Sequence, residues 1–593
     1  MAFQLSPGVN VTEKDVTLIV PAVATTPGAI VAPFQWGPAD EPTLVTSEAD
    51  LAQKFSGPLS STAGGTDIDY APFWFTAANF LSYGNNLTVI RSLADGEYFT
   101  AVNSAAVDSD GMGIPVTENL DGTWAGIFND KSYEEYTKVD GQTFCAKYTG
   151  KLGNSLKVVI IDNGYDPTDT DYLNEFDSVP DTSLYVRDKT GTASGRKDEI
   201  HVLIIDKLGD FSGTVGTVLE KFLFVSKAPD ARTAGGVNNY YVNVINNNSR
   251  YVRWLGHPTA SGGTFEWGES AQNIGANDSY ATLTGGIEEY DLEGGSLGSG
   301  LSTDAELPQF YTKHFGDSET SDVSLLIAGP VSAATASQIV QIAETRKDCI
   351  AFISPKPASA SVSSMDLDDI TAYKTSLNYS SSYGVMDSGY KLQYDRYNDI
   401  FRYVPLCGDI AGCCVTTDLN RDPWFSPAGF DRGRIKNVVR LAFNPNKTER
   451  DELYRRGINP VVSFEGEGTV LYGDKTLLDR PSAFDRINVR RLFIVLEKAI
   501  ATASKFLLFE FNDEFTRAQF RNLVEPYLRD VQGRRGITDF RVVCDETNNT
   551  PQVIDSNSFV GDIYIKPARS INFIQLNFIA TPTGVSFEEV QGA

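Results

Sequence analysis

Histidine and cysteine are scarce in this chain of 593 residues, which has three of the first and six of the second. His201, His257 and His314 stand apart, and no H-E-x-x-H or G-x-x-x-x-G-K-[ST] pattern occurs. Neither a zincin-type centre nor a phosphate-binding P-loop is written here. Cys145, Cys349, Cys407, Cys413, Cys414 and Cys544 contain no C-x-x-C pair and are too sparse for a disulfide framework. All six read as reduced thiols, with the adjacent Cys413 and Cys414 as small buried residues of a strand rather than a redox or metal pair. No window approaches the run of about 18 apolar residues that spans a bilayer. The opening "MAFQLSPG" lacks the basic and apolar regions of a secretory signal, so cytoplasmic synthesis is the expectation. No cofactor and no metal is expected.

Positive charge is also short, with 50 Lys and Arg against 77 Asp and Glu and a formal charge of −27. That balance argues against nucleic acid as a partner, because affinity for phosphate comes from lysine and arginine. The deficit is uneven. Between Asp431 and Arg541 there are 21 Lys and Arg against 16 Asp and Glu, a local +5 that leaves −32 for the rest. An acidic part facing solvent and a C-terminal part facing an anionic partner would give this pattern; so would uneven solvated surfaces with no partner.

What is present suggests several domains, roughly three to five at about 100 to 200 residues each, in a mixture of α/β and α+β architecture. "SPGVNVTEKDVTLIVP" alternates like a strand, with Val9, Val11, Val16, Leu18 and Val20 as its apolar positions. No hairpin mate follows, because Pro21, Pro27, Pro33 and Pro38 interrupt the next stretch. This arm, residues 1–20, is therefore loose or paired with something distant. Residues 21–94 contain a helical segment, "DYAPFWFTAANFLSYG", and the strand of "NNLTVIRS". Residues 95–304 alternate turn residues with β-rich runs such as "LKVVIID", "IHVLIID" and "YYVNVIN", the texture of all-β modules. Residues 305–445 open with a βαβ unit: "VSLLIAGP", a helix carrying Ile339, Ile342 and Ala343 on one face, and "CIAFISP". Its first turn, "AGPVSA", lacks the glycine-rich loop of a phosphate site.

In residues 446–593, "TERDELYRRG" places Thr448 as N-cap, Asp451 in the capping-box position and Gly457 at the stop. "NVRRLFIVLEKAIATASKFL" repeats Val489, Leu492, Leu496, Ala499 and Ala503 along one seam, with Arg490, Arg491, Lys498 and Lys505 off it, a basic edge. "NDEFTRAQFRNLVEPYLRD" is a helix with acids in its first turn and Arg529 in its last. The strands "FRVVCDE", "IYIKPAR" and "INFIQLNFIA" follow, the last with Ile574, Leu576 and Phe578 facing one way.

Chemistry finds little support. "GGSLG" satisfies the G-x-S-x-G nucleophile elbow at Ser296 with His314 downstream as the one possible base, but its flanks are turn-like where an elbow needs a strand and a helix. The acidic loop "DNGYDPTDTD" misses the glycine and closing glutamate of an EF-hand and reads as solvated.

Taken in order and spacing, "FRYVPLCGDIAGCCVTTDLNRDPWFSPAG", "RRGINPVVSF", "LYGDKTL", "INVRRLFIVLEKAI" and "VVCDETNNTPQVIDSNSFVGDIYIKPARSINFIQLNFIA" resemble the tail sheath proteins of contractile-tailed bacteriophages. "SPGVNVTEKD", "ANFLSYGNNLTVIRS" and "TLTGGIEEYD" fit the same family, whereas "GDKTL" departs from its usual Gly-Ala/Gly-Arg-Thr-Leu. The resemblance covers roughly the first ninety residues and everything after about Tyr280. It implies a structural subunit that stacks in six-fold rings around a tail tube and contracts to drive the tube through the host envelope. It implies a C-terminal α/β core completed by strands from neighbours, a middle domain carrying the βαβ unit, and outward β-rich insertions. The arm of residues 1–20 and the strand of Ile574, Leu576 and Phe578 would then link copies, and Arg490, Arg491, Lys498 and Lys505 would face the tube. The implied partners are further copies of the chain, the tube protein, and baseplate and terminator proteins, with no nucleic acid and no membrane insertion. The implied setting is the virion, after assembly in host cytoplasm. A tail fibre or surface adhesin and a serine hydrolase centred on Ser296 are the alternatives.

Overall fold

The computed structural model describes residues 25–58, 70–93, 98–108, 110–118, 124–139, 141–166, 172–191, 195–275, 277–297, 304–357, 361–572 and 575. The N-terminal arm with Val9, Val11, Val16, Leu18 and Val20, and the C-terminal strand with Ile574, Leu576 and Phe578, lie outside the described residues. The chain divides into two units: Ala24–Asn420 with Pro427–Ile487, and Met1–Val23 with Arg421–Ser426 and Asn488–Ala593. It is a mixed α/β protein with several sheets.

The larger unit is organised on a six-stranded sheet in the order Gly384–Met386, Ile350–Ile353, Leu325–Ile327, Gly28–Ala32, Leu87–Arg91, Thr43–Val45. All neighbours run parallel except the last pair. The central strands "GAIVA", "LLI" and "IAFI" are buried throughout, as expected of strands covered on both faces. The expected βαβ unit is present: Leu325–Ile327 and Ile350–Ile353 pair in parallel around the helix Ala333–Arg346, whose Ile339 and Ala343 are buried and Ile342 half-buried. Strands from both sides of the 98–297 stretch meet in this one sheet, because Gly28–Ala32 pairs with both Leu87–Arg91 and Leu325–Ile327.

The 98–297 stretch builds its own antiparallel sheet of seven strands, ordered Thr217–Ser226, Glu199–Asp206, Leu156–Ile161, Ile287–Glu293, Val102–Asn103, Phe144–Ala146, Val252–Trp254. Trp36 from the N-terminal part is packed into its core. Arg91, at the end of "LTVIR", is fully buried and holds the same junction, donating to the carbonyls of Phe34, Gly37 and Thr149 at 2.7, 2.9 and 2.9 Å.

Three local expectations are corrected. "YYVNVIN" is helical, Tyr241–Asn248, because Tyr241, Val242 and Ile245 lie on one helical face and are buried in the core that covers the seven-stranded sheet; tertiary burial overrides β-propensity there. Cys413 and Cys414 are buried, but in the helix Cys407–Asn420 rather than in a strand. Gly408 and Gly412, one turn apart, let this helix pack closely against its neighbours. A Cβ at Gly408 would sit 2.4 Å from the Thr76 carbonyl oxygen and one at Gly412 2.4 Å from the Tyr83 ring, so this helix and Ala71–Leu81 approach as closely as only glycine permits. The helix expected to start at Thr448 spans Lys447–Arg455. Its N-cap is Asn446, in a reciprocal capping box with Glu449, because Asn446 is the residue with extended backbone; Gly457 follows the end as expected, at φ 78°.

In the smaller unit the helix Ile487–Ser504 continues into the helix Glu514–Gly533 through residues 505–513. Val489, Leu492, Leu496, Ala499 and Ala503, the expected seam, are all buried. Leu492 and Leu496 form a core with Trp424, Phe520, Val524, Leu528, Val531, Ile537 and Cys544. None of the described helices is long and apolar enough to cross a membrane.

Candidate assembly interface

The candidate hydrolytic site dissolves on inspection of its geometry. Ser296 is held by an isolated antiparallel bridge, exchanging both backbone hydrogen bonds with Phe99 at 3.1 Å, where an elbow serine would cap a strand and start a helix. His314 is bound to Asp40, Nε2 to Oδ1 at 2.7 Å, and Lys313 takes the other oxygen at 2.6 Å. Burial alone would raise the Asp40 carboxyl, but hydrogen bonds to these two side chains hold it below its usual value. His201 donates or accepts at both ring nitrogens, against the Ser178 carbonyl and the Phe224 N–H, and His257 binds the Tyr241 hydroxyl at 2.7 Å; burial lowers the pKa of both. The acidic loop is also committed at its start. Asp162 and Lys227 are fully buried at 2.7 Å, with the Lys227 ammonium 4.8 Å from the centre of the Trp267 ring.

Assembly chemistry is instead concentrated in the smaller unit. Its strands Ile537–Val543 and Asp562–Pro567 pair antiparallel, with Phe540 opposite Ile565 and Arg541 opposite Tyr564. Among the described residues each of these strands has only the other as partner. A two-stranded sheet is marginal alone; this one is supported by packing of Ile537, Phe540, Val542, Ile563 and Ile565 against the helices. Each outer edge presents a row of N–H and C=O groups, a template for another strand. Residues 505–515, "KFLLFEFNDEF", expose Phe506, Leu508, Phe509, Phe511 and Phe515, with Phe509 and Phe511 at 104% and 83%. Asn512 fixes this connection: its amide donates to Asn549 Oδ1 at 3.1 Å and to the Ser558 carbonyl at 2.8 Å. Apolar exposure on this scale makes this connection a candidate protein-interaction surface.

The basic edge read from the sequence splits in two. Arg490 and Arg491 are 5% and 4% exposed, as buried as the apolar seam, while Lys498 is half-buried and Lys505 exposed. The reason is that the first turns of this helix are covered on every side, from Ile487 to Leu492, so a position off the seam does not reach solvent there. Arg490 leans on Glu497 at 3.7 Å. Sequence periodicity alone carries no signal for this, since it reports one face of a helix and not how many neighbours surround it. The exposed run Phe506–Phe515 was visible as composition, but its exposure was not.

Among the described residues, neither Ser296 nor the histidines form a catalytic constellation, and the paired strands and exposed phenylalanines make the smaller unit the candidate assembly surface. Comparison with known proteins gives the family. The pattern of the phage tail sheath protein central domain matches residues 311–477 and that of the phage tail sheath C-terminal domain residues 479–581. The tail sheath protein of Vibrio phage KVP40 is 35% identical over 99% of this chain and 100% of its own. That of Enterobacteria phage T4 is 34% identical over 99% of both. Among solved structures, the sheath tail protein Lin1278 from Listeria innocua aligns over 92% of this chain and 96% of its own, at TM-score 0.48 and 12% identity. The chain belongs to the phage tail sheath protein family, whose members are structural components of the virion and not enzymes. The tail-fibre and serine-hydrolase alternatives are set aside with that assignment.

Proposed function

We propose that this chain polymerises as stacked six-fold rings around a tail tube and contracts to drive the tube through the host cell envelope. The observation that carries the reading is full-length similarity to phage tail sheath proteins at 34–35% identity. The pair Ile537–Val543 and Asp562–Pro567 supplies the physical means. A neighbour's arm, Val9 to Val20, adds a strand at one edge, and the strand of Ile574, Leu576 and Phe578 links copies in the same way. Strand addition gives directional backbone bonds, and a head-to-tail contact that does not close generates a helical polymer. The C-terminal part, residues 446–593, faces the tube through Lys498 and Lys505, while Arg490 and Arg491 are buried in the fold. Residues 95–304 lie outward as insertions between the two parts of the middle domain, 21–94 and 305–445. The tube, baseplate and terminator proteins are its other partners, with assembly in host cytoplasm.

Deleting Met1–Val20 tests the reading. The deleted chain should stay soluble with the far-ultraviolet circular dichroism of the parent and form no polymer in sedimentation or electron microscopy. Tubular polymers from the deleted chain would refute the strand-exchange mechanism. Lys498→Glu with Lys505→Glu should weaken co-assembly with the tube protein and leave tube-free polymers intact.

A further inference from the structure

His201 pins a β-bulge at the edge of the seven-stranded sheet. Where Glu199–Asp206 pairs with Thr217–Ser226, Ile200 lies opposite Val225 and Val202 opposite Phe222, so His201 alone faces both Leu223 and Phe224. Phe224 has φ 55°, a left-handed conformation uncommon for an aromatic residue. Side chains hold it from two directions. Its N–H donates to His201 Nδ1 at 3.0 Å, and its carbonyl accepts from the Asn239 amide at 2.8 Å. The imidazole, 0% exposed, has its Nε2 2.9 Å from the Ser178 carbonyl and lies between the rings of Phe176 and Phe224, at 4.9 and 4.5 Å.

These partners fix the charge of the ring. A peptide N–H only donates and a carbonyl only accepts, so His201 is the neutral imidazole with its proton on Nε2. A second proton would go to Nδ1 and point at the Phe224 N–H. The bulge would lose its hydrogen bond, and a charge would be enclosed without water. No counter-charge is at hand. Glu175 is bound to Lys221 of the edge strand at 2.6 Å, and Asp177 is exposed. Glu289 is bound to Lys157 at 2.8 Å and to the Tyr172 hydroxyl at 2.6 Å, while Tyr165 lies against Phe176. Asp198 accepts from the Ser226 hydroxyl and the Ser183 N–H. Burial holds the Glu199 carboxyl up at about 7, so it is largely neutral at the acidity that would charge a histidine. We propose that His201 is a proton-operated latch, which when neutral fastens the edge strand Thr217–Ser226 at Phe224 and when protonated releases it. Nε2 keeps its bond to Ser178 in either state, so the ring stays and the edge strand is what moves. Burial lowers the pKa of His201 below 6.5. The unfolded chain therefore takes up this proton more readily than the folded one. The latch contributes fully above about pH 6.5 and is lost as pH falls below that value.

The test is hydrogen–deuterium exchange of the full chain from about pH 7.5 to about pH 5, corrected for the pH dependence of chemical exchange, with the His201 ring nitrogens followed by NMR in histidine-labelled protein. Protection of Phe222–Phe224 should fall as His201 takes up its proton, by at most about tenfold per pH unit, the slope for a single proton. The helix Ala333–Arg346 should be unaffected. His201→Asn places an amide oxygen near the position of Nδ1 and does not titrate, so its bulge should stay protected across the range. If that variant does not fold, the parent's two curves decide by whether they share a midpoint. Unchanged protection over the range, a midpoint separate from that of His201, the same loss in folded His201→Asn, or a proton on Nδ1 at neutral pH would each overturn the latch.

Discussion

Replacing Asp409 by Asn leaves the Lys391 ammonium fully buried beside a neutral amide. Both side chains are 0% exposed, and the lysine's one other described partner is the Lys436 carbonyl at 2.8 Å. Removing one partner of such a pair costs about 3–5 kcal/mol, because the remaining charge is stranded without water. At about 1 °C per kcal/mol for a unit as large as Ala24–Asn420 with Pro427–Ile487, its transition should fall by roughly 3–5 °C. Converting both residues, Lys391→Met with Asp409→Leu, should recover all but about 1–2 kcal/mol, since the buried pair contributes little net stability over an apolar replacement. The residual reflects the Tyr83 hydroxyl, which donates to Asp409 at 3.0 Å but also accepts from the Lys436 N–H at 2.7 Å. Thermal unfolding is best followed by circular dichroism in the chain lacking Met1–Val20, where polymer formation does not add to stability, with each transition fitted separately. A double variant as unstable as the sum of the two single changes would refute the stranded-charge argument.

Two further effects follow from the same helix and sheet. Burial pushes the Asp387 carboxyl up from 3.8 to about 8, against hydrogen bonds from Ser354 and the Gly389 N–H that favour the charged form. A carboxyl that holds its proton more tightly when folded imposes no penalty below about pH 4 and its full penalty above about pH 8; Asp387→Asn should therefore gain stability relative to the parent as pH rises through that window, and parallel pH profiles would contradict the shift. Gly412→Ala places a methyl 2.4 Å from the Tyr83 ring and should cost about 1–3 kcal/mol by overpacking, measured as a fall in urea midpoint; an unchanged midpoint would mean that the helices separate freely.

Much of the local structure was legible because it depends on periodicity and termini. The βαβ unit and the seam Val489 to Ala503 are both patterns of one element against one apolar neighbour, and both were realised. The runs "LKVVII" and "EIHVLIID" became strands because unbroken β-branched residues bounded by turns have few other uses. The family resemblance was also carried by sequence, spread over motifs from "SPGVNVTEKD" to "YIKPARS".

Where neighbours on several sides decide, the sequence was silent or misleading. "YYVNVIN" has the composition of a strand, and only the core beneath the seven-stranded sheet makes it a helix. Gly408 and Gly412 matter because Thr76, in the helix Ala71–Leu81, and Tyr83, just past its end, lie within 2.4 Å of where their Cβ atoms would be, hundreds of residues away in sequence. Arg490 and Arg491 sit off the apolar seam yet are buried, since a helix enclosed on all sides has no solvent face. In "YKLQYD" the alternation itself is plain, but its phase is not. Sequence determined that Leu392 and Tyr394 share one face and Lys391, Gln393 and Asp395 the other. Tertiary structure alone decided that the charged face turns inward, because Asp409, Asn79 and Arg402 are waiting there to pair with it.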